Sequence, residues 1–391
     1  MNKDVLDTVR NSCNSVIRDA KCTKKQGKAV YEMVRGLLKK GQPILTQLGE
    51  RKTCSAKKEG EKYGKHLGNM SLTNSVNNFA DKKMLGDVGK YDVIAYDLSD
   101  ISKEEAEKIE WLQPIFDGSK RQKSKGASLH GVGYNGALLR FQIHDHDKEF
   151  LPQIRKSILE ELFKSLEGNG ILVFDRGNDD QQLFVFLTEK EKQFIVRLKK
   201  NRSVLIKGND KVEKIKDLQP GRYTVCINDN HGKINTKVEY LLVINEHIKG
   251  KQPILLLCSK NIENLSDSEL VEKYLERWGV ENSFKGIKDL FSLEDIQVMK
   301  RERFLSLVAL IQFSSLIAAF LYQQSQNLNS FLSTSLQALF SAFRKQESLT
   351  YNLSAFTKYL RSEFIELISY APRKTSPPLD DLQTSLFPLN F

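Results

Sequence analysis

Two short apolar runs constrain this chain more than any other feature. Val93-Ile94-Ala95-Tyr96 and Ile171-Leu172-Val173-Phe174 show no polar alternation, and each stops at a carboxylate, Asp97 and Asp175. A continuous apolar run of that length suits a buried strand. In an open α/β sheet, ligands bind at the carboxyl ends of adjacent parallel strands, so neighbouring strands of this kind would bring Asp97 and Asp175 together. The surrounding pattern is consistent with such a sheet. Residues 134–144 look like a further strand, and Leu151–Leu166 reads as an amphipathic helix with Pro152 in its first turn and Gly168-Asn169-Gly170 at its end. A short helix near Asp179–Thr188 and a strand over Phe194–Leu198 follow. Taken singly, each aspartate also reads as a helix cap or a turn residue at a strand exit.

A third carboxylate comes from Tyr274-Leu-Glu-Arg277-Trp-Gly-Val-Glu281-Asn-Ser-Phe-Lys285-Gly-Ile-Lys288. Read as one helix at about 100° per residue, Tyr274, Arg277, Glu281 and Lys288 fall within an arc of roughly 60°. Val280, Phe284, Ile287 and Phe291 form an apolar stripe beside them that would dock the helix on a core. The plain alternative is a solvated edge, with Arg277–Glu281 and Glu281–Lys285 as i,i+4 charge pairs. Three converging carboxylates repel one another unless cations lie between them, and hard oxygen donors suit Mg²⁺ or Mn²⁺.

Charge identifies the class of partner. The net charge is +11, and residues 1–70 alone carry 16 Lys and Arg against 7 Asp and Glu. A basic helical start of that kind fits a polyanion such as nucleic acid; the alternatives are an anionic membrane surface and a basic helical domain with no specific partner. The five cysteines are scattered, with no CxxC, and the chain start lacks an apolar signal core, which points to a reducing cytoplasm. The apolar stretch Phe304–Tyr322 is broken by Gln312 and serines, so it reads as a core or interface helix and not as a membrane span. Gly131-Val-Gly133-Tyr-Asn-Gly136 matches GxGxxG formally, but a strand and not a helix follows, so strand-turn-strand is the better account. His144-Asp-His146-Asp147 reads as a hairpin turn in preference to a metal cluster.

The organisation expected is helical and DNA-binding over 1–75, with Ser71–Val88 as a polar connector. An α/β core follows over 76–200, then a β-strand insertion over 201–262 with turns such as Asp229-Asn230. The core resumes over 263–345, and a helical segment with a proline- and serine-containing tail occupies 346–391.

Tyr274-x2-Arg277-x3-Glu281-x6-Lys288 has the YREK spacing of the DDE cut-and-paste transposases of insertion-sequence family four, the group that includes the Tn-five transposase. Asp97-Leu-Ser99 resembles that family's first-aspartate motif, Asp175-Arg176-Gly177 its second, and Phe194–Arg202 the strand leading into its β insertion. The resemblance implies an RNase H-like fold interrupted by that insertion. It implies a triad of Asp97, Asp175 and Glu281 holding two Mg²⁺ ions, with Mn²⁺ as a possible substitute. Tyr274, Arg277 and Lys288, with Lys285 beside them, would bind phosphates. The implied activity is cleavage at transposon terminal inverted repeats and joining of the 3′ ends to target DNA, by a homodimer in a cytoplasmic, nucleoid-associated setting. Asp92 and Asp100 compete locally for the first position, and Asp97 matches the spacing. Relatives that form a DNA hairpin stack a flipped base on an aromatic residue of the insertion. Residues 201–260 hold no Trp, so Tyr223 or Tyr240 would have to serve. The competing readings are a DNA-binding protein or repressor derived from a transposase without its chemistry, and a nuclease without strand transfer.

Overall fold

The computed structural model describes residues 2–49, 54–117, 122–228, 233–246, 252–326, 356–358 and 360–361. Helices come first: α1 (Asn2–Asp19), α2 (Lys24–Lys40), α3 (Leu45–Leu48), α4 (Ala56–Leu67) and α5 (Thr73–Met84). α2 opens on a capping box, in which the Thr23 hydroxyl accepts from the Gln26 N–H and the Gln26 side chain accepts from the Thr23 N–H. It ends at Gly41 with φ 66°. The span expected as a polar connector contains α5 instead. Val76, Phe79, Ala80 and Met84 recur at helical spacing and are buried, and Phe79 meets Phe313 edge-on at 5.1 Å. The many polar residues between them obscured that stripe.

The strands are β1 (Val93–Ser102), β2 (Gln113–Asp117), β3 (Gln122–Tyr134) and β4 (Ala137–Ile143). After α6 (Leu151–Leu166) come β5 (Ile171–Phe174), α7 (Gln181–Glu189) and β6 (Gln193–Arg197). β7 (Ser203–Ile206), β8 (Val212–Lys214), β9 (Gly221–Ile227), β10 (Tyr240–Asn245) and β11 (Ile254–Cys258) follow. Among the described residues all eleven form one mixed sheet in the order β2-β3-β1-β5-β6-β11-β10-β9-β7-β8, with β4 added on β3. β1–β5 and β5–β6 are parallel, and every other pairing is antiparallel. The β-rich segment after residue 201 therefore continues the main sheet, because β11 returns to pair with β6.

Two expectations are corrected by the strands. β1 does not stop at Asp97 but runs on to Ser102, because beyond Tyr96 it keeps pairing with β3 after β5 has ended. What ends at Tyr96 is the parallel pairing, whose last register pair is Tyr96 with Phe174. His144-Asp-His146-Asp147 is not a hairpin turn but the connection from β4 into α6. There the rings of His144 and His146 stack at 4.1 Å, and Asp145 pairs with Arg301 at 2.7 Å. The GxGxxG match is strand-turn-strand, with Asn135 at φ 47° and Gly136 at φ 79° forming the two-residue turn between β3 and β4. The turn at Asp229-Asn230 lies outside the described residues, as does the segment 346–391 apart from 356–358 and 360–361.

Alternation along the parallel strands separates two sheet faces. Ile94, Tyr96, Leu172, Phe174, Phe194 and Val196 belong to the larger core, in which the Tyr96 and Phe174 rings lie 5.5 Å apart. Ile171, Val173 and Ile195 face the other way, under Leu270, Val271 and Tyr274 of α8 (Asp267–Leu275). α9 (Trp278–Phe291) lies on the same face over β3, where Phe141 and Phe284 meet at 5.9 Å. α10 (Arg301–Gln326) is long and apolar enough to cross a membrane, yet 83% of its apolar window is buried within the protein. Its Gln312, 0% exposed, donates to the Leu139 carbonyl at 2.9 Å, so the polar break in the stretch ties the helix to β4.

Candidate active site

The parallel register sets the first two carboxylates side by side. Tyr96 pairs with Phe174, so Asp97 and Asp175, one residue further along neighbouring strands, occupy adjacent positions on the α8–α9 face, with strands spaced about 4.8 Å apart. Asp175 keeps an extended backbone (φ −77°, ψ 177°), and its Oδ1 accepts from the Gly177 N–H at 2.9 Å and the Asn178 Nδ2 at 2.7 Å. The cap reading of this residue is thus true and does not compete with a site role. Asn178 in turn accepts from Arg155 of α6 at 3.1 Å, and Arg155 also pairs with Asp180. Arg155 and Asn178, 3% and 2% exposed, hold the Asp175 turn. Sequence reasoning missed both. The available signal was an arginine at position 155 in line with the buried residues of an amphipathic helix.

The third carboxylate arrives by a bend. The stretch from Tyr274 to Lys288 is not one helix: α8 ends at Leu275 and α9 starts at Trp278. Between them the hydrogen bonds tighten to three-residue spacing, from Arg277 N to Tyr274 O at 3.2 Å, from Gly279 N to Glu276 O at 2.9 Å and from Val280 N to Arg277 O at 3.0 Å. The cause is two docking sites at different parts of the sheet, Tyr274 over β5 and β6, and Val280 and Phe284 over β3. The single polar stripe is therefore broken. Tyr274 is 3% exposed, with its ring 5.7 Å from the Arg277 guanidinium, which rests over it. Arg277 sits at the N-terminal end of α9, and Glu281 in its first turn.

Close packing sets Glu281 near Asp97. A Cβ on Gly131 would come within 2.1 Å of the Phe284 ring, and one on Gly133 within 2.8 Å of Val280. Gly131 is the register partner of Asp97. These two glycines of the GxGxxG match thus serve the approach of α9 to β3.

Arg277, 5% exposed, donates through Nη1 to Asp97 Oδ2 at 3.0 Å and pairs through Nη2 with Glu281 Oε1 at 2.7 Å. Burial pushes the Asp97 carboxyl up to about 6, and the negative charges of Asp175 and Glu281 add to the shift; the Leu98 N–H and Arg277 oppose it. The three acids therefore feel one another, and Arg277 serves as the counter-ion between two of them. Their oxygen donors suit a hard divalent cation, and the guanidinium takes a cation's place between Asp97 and Glu281. No three His, Cys, Asp or Glu side chains among the described residues are gathered to hold an ion.

The remaining candidates are scattered along α9. Lys288 pairs with Glu294 at 3.5 Å, Lys285 is exposed, and Trp278 is 56% exposed beside Arg277. Tyr240 is 1% exposed among Phe184 and Phe194, and Tyr223 is packed against the core with its hydroxyl on the Gln219 carbonyl. Tyr240 is thus closed off inside the core, whereas Tyr223 is half-buried. Asp92 precedes β1, at the end of the strand opposite the site, and accepts from the Gly89 N–H and the Tyr134 hydroxyl.

The transposase DDE domain family matches residues 88–317, a span that includes Asp97, Asp175 and Glu281. No curated protein matches the chain. Among solved structures, the piggyBac transposase in its synaptic complex with hairpin DNA aligns at a TM-score of 0.45 and 10% identity, covering 94% of this chain and 77% of that one. Such a remote likeness bears no weight on its own. The family match covers more than half of the sequence, including the parallel strands β1 and β5, and on that ground this chain belongs to the DDE transposase family.

Proposed function

We propose that this transposase carries out cut-and-paste transposition in the manner of the YREK group of insertion-sequence family four, with Asp97, Asp175 and Glu281 as its catalytic carboxylates. The observation that carries the proposal is the Arg277 bridge that ties Glu281 to Asp97, the register neighbour of Asp175. Asp97 and Asp175 stand side by side at the end of the β1–β5 parallel pairing, and Glu281 is tied to Asp97 through Arg277. The order β3-β1-β5-β6, parallel except at β3, supports an RNase H-like core, which the strands after residue 201 extend.

Asp97, Asp175 and Glu281 would hold the divalent ions, Mg²⁺ or Mn²⁺, which supply Lewis-acid stabilisation of the attacking and leaving oxygens of a phosphodiester. Asn178 and the Gly177 N–H orient Asp175, so one of its oxygens is fixed before any substrate enters. Arg277 and Lys288 would exchange their carboxylate partners for phosphates of the transferred end, and exposed Lys285 would join them. Tyr274 backs Arg277 through its ring. The N-terminal helices supply the wider DNA surface, with Lys57, Lys58 and Lys65 exposed along α4. The substrates are the terminal inverted repeats and target DNA, joined through the freed 3′ hydroxyl by a homodimer.

The test uses labelled element ends with Mg²⁺. Glu281→Gln and Asp175→Asn should each abolish nicking and joined products while the protein still binds the DNA. Cleavage by either variant at the parent rate would refute the site. A parent protein that shifts end DNA but never nicks it with Mg²⁺ or Mn²⁺ would establish the non-catalytic DNA-binding reading instead.

A further inference from the structure

α9 is held at both ends. Its first half is seated on β3 through Val280 and Phe284, and its last turn meets a residue far along the chain. Arg361 of the C-terminal segment donates through Nη2 to the Leu290 carbonyl at 2.5 Å and through Nε to the Leu38 carbonyl at 3.5 Å. Leu290 and Leu38 lie in the last turns of α9 and α2, where carbonyls have no partner within their own helix. Two helix C-termini, each carrying partial negative charge, thus converge on one guanidinium.

The packing leaves room for that group and little else. Gly41 ends α2 at φ 66°, and a Cβ there would come within 2.2 Å of Arg361 Nη2 and 2.4 Å of the Leu290 carbonyl oxygen. The ends of α2 and α9 therefore approach as closely as they do because no side chain stands between them. Arg361 is half-buried, and among the described residues no carboxylate pairs with it. Its segment is anchored by Phe356, 4% exposed, whose ring lies 5.5 Å from that of Tyr322 in α10. A guanidinium committed to backbone carbonyls fixes backbone, and here it fixes two helix ends to each other. Glu281 is on the same helix as Leu290, about 13.5 Å away at a rise of about 1.5 Å per residue.

We infer that Arg361 is a positioning residue for Glu281: it clamps the C-terminal end of α9 to the end of α2, and the helix carries that constraint to the carboxylate. The inference rests on the proposed reading of Glu281 as a catalytic carboxylate. It ties the placement of that carboxylate to the N-terminal helices, so a shift of α2 reaches the site through α9.

The experiment uses the full chain and labelled element ends, with the nicking rate measured over ranges of DNA and Mg²⁺ concentration. Arg361→Gln should lower the rate at saturating DNA about tenfold and leave the DNA concentration for half-maximal rate unchanged. The Mg²⁺ concentration for half-maximal rate should rise, and added Mg²⁺ should raise the melting temperature less than it does in the parent, because a displaced Glu281 holds the ion less well. A loss of stability alone lowers the folded fraction and leaves both Mg²⁺ responses as in the parent. Arg361→Lys, which keeps a charged donor near the carbonyls, should recover most of the rate. Gly41→Ala, which drives a methyl into the guanidinium from the N-terminal side, should reproduce the Arg361→Gln pattern, and combining the two should add little, as for two changes to one contact. Arg361→Gln with the parent's rate and Mg²⁺ requirement refutes the inference, as does a double variant whose losses add in full. Should Arg361→Gln not fold, Gly41→Ala decides on the same measurements: a raised Mg²⁺ requirement supports the clamp and the parent's requirement refutes it. If the inference fails while Glu281→Gln still abolishes nicking, the carboxylate assignment stands. A parent that never nicks the ends overturns that assignment, and the inference with it.

Discussion

The two flanks of the carboxylate row are built differently. On the α9 flank two cations are matched within the chain, Arg277 with Asp97 and Glu281, and Lys288 with Glu294, while Lys285 is exposed. On the β6 flank Arg197, beside Asp175 in register, has no such partner among the described residues. The contrast shows that local sequence charge does not say which cations are available to a ligand. The motif that stands out in the sequence contains the engaged ones, and an arginine at a strand end carries the open charge. It also divides the energetics. The α9 flank holds stability through the ion pairs of buried Arg277, which any metal or phosphate must exchange, whereas the β6 flank has little to give up.

The largest effect should come from breaking the bridge. Arg277→Ala leaves Asp97 and Glu281 facing each other, and in chelator it should cost about 3 kcal/mol of unfolding free energy, as removal of one partner of a buried pair does. Divalent ions should restore much of that loss if the carboxylates hold them. Chemical denaturation with and without Mg²⁺ checks both parts, and a variant as stable as the parent in chelator would mean that the bridge contributes nothing.

Moving α9 should come next. Gly131→Ala drives a methyl into the Phe284 ring, so overpacking should cost about 1–3 kcal/mol and draw Glu281 away from Asp97. Cleavage should fall by a larger factor than DNA affinity, which assays on the same preparation would show. Equal losses in both would argue against a positioning role for the glycine.

The third effect depends on pH. Asp97 has its folded value raised above the ordinary 3.8 to about 6, so between those values the folded chain binds the proton that the unfolded chain has lost. The stability contribution is fully present below about pH 4 and is lost as pH rises through 6, by up to about 3 kcal/mol at 1.36 kcal/mol per unit. Asp97→Asn should therefore melt higher than the parent at pH 8 in chelator, with the advantage gone near pH 4, at the expense of all cleavage. A constant offset across that range would mean that Asp97 does not titrate as described. The smallest effect is expected at exposed Lys285, where alanine should change stability by less than about 0.5 kcal/mol while lowering the salt slope of DNA binding. An unchanged slope would remove Lys285 from the phosphate-binding set.

Much of this was legible from local pattern. The runs Val93–Tyr96 and Ile171–Phe174 are buried parallel strands because four unbroken apolar residues have no polar face to show to water. The Asn135-Gly136 turn could be read because a two-residue hairpin loop requires positive φ at both positions. α5 escaped notice because its apolar residues are diluted by Asn, Asp and Lys on the outer face, and the surface it docks on comes from α1, α10 and β4, all distant in sequence. The break between α8 and α9 escaped for a related reason. Helical period is continuous from Tyr274 to Lys288, and nothing in that stretch reports that its two halves dock over different strands.

Strand identity, the carboxylates that end the parallel pairing and the motif spacing are properties of neighbouring residues, and the chain states them alone. The bridge from Arg277 to Asp97 spans 180 positions, and the place of Glu281 depends on two glycines of β3 whose purpose appears only when α9 lies on them. Which charges are matched and which stay open was decided by that packing. Ion pairing depends on distance and burial in space, and no local spacing encodes either one.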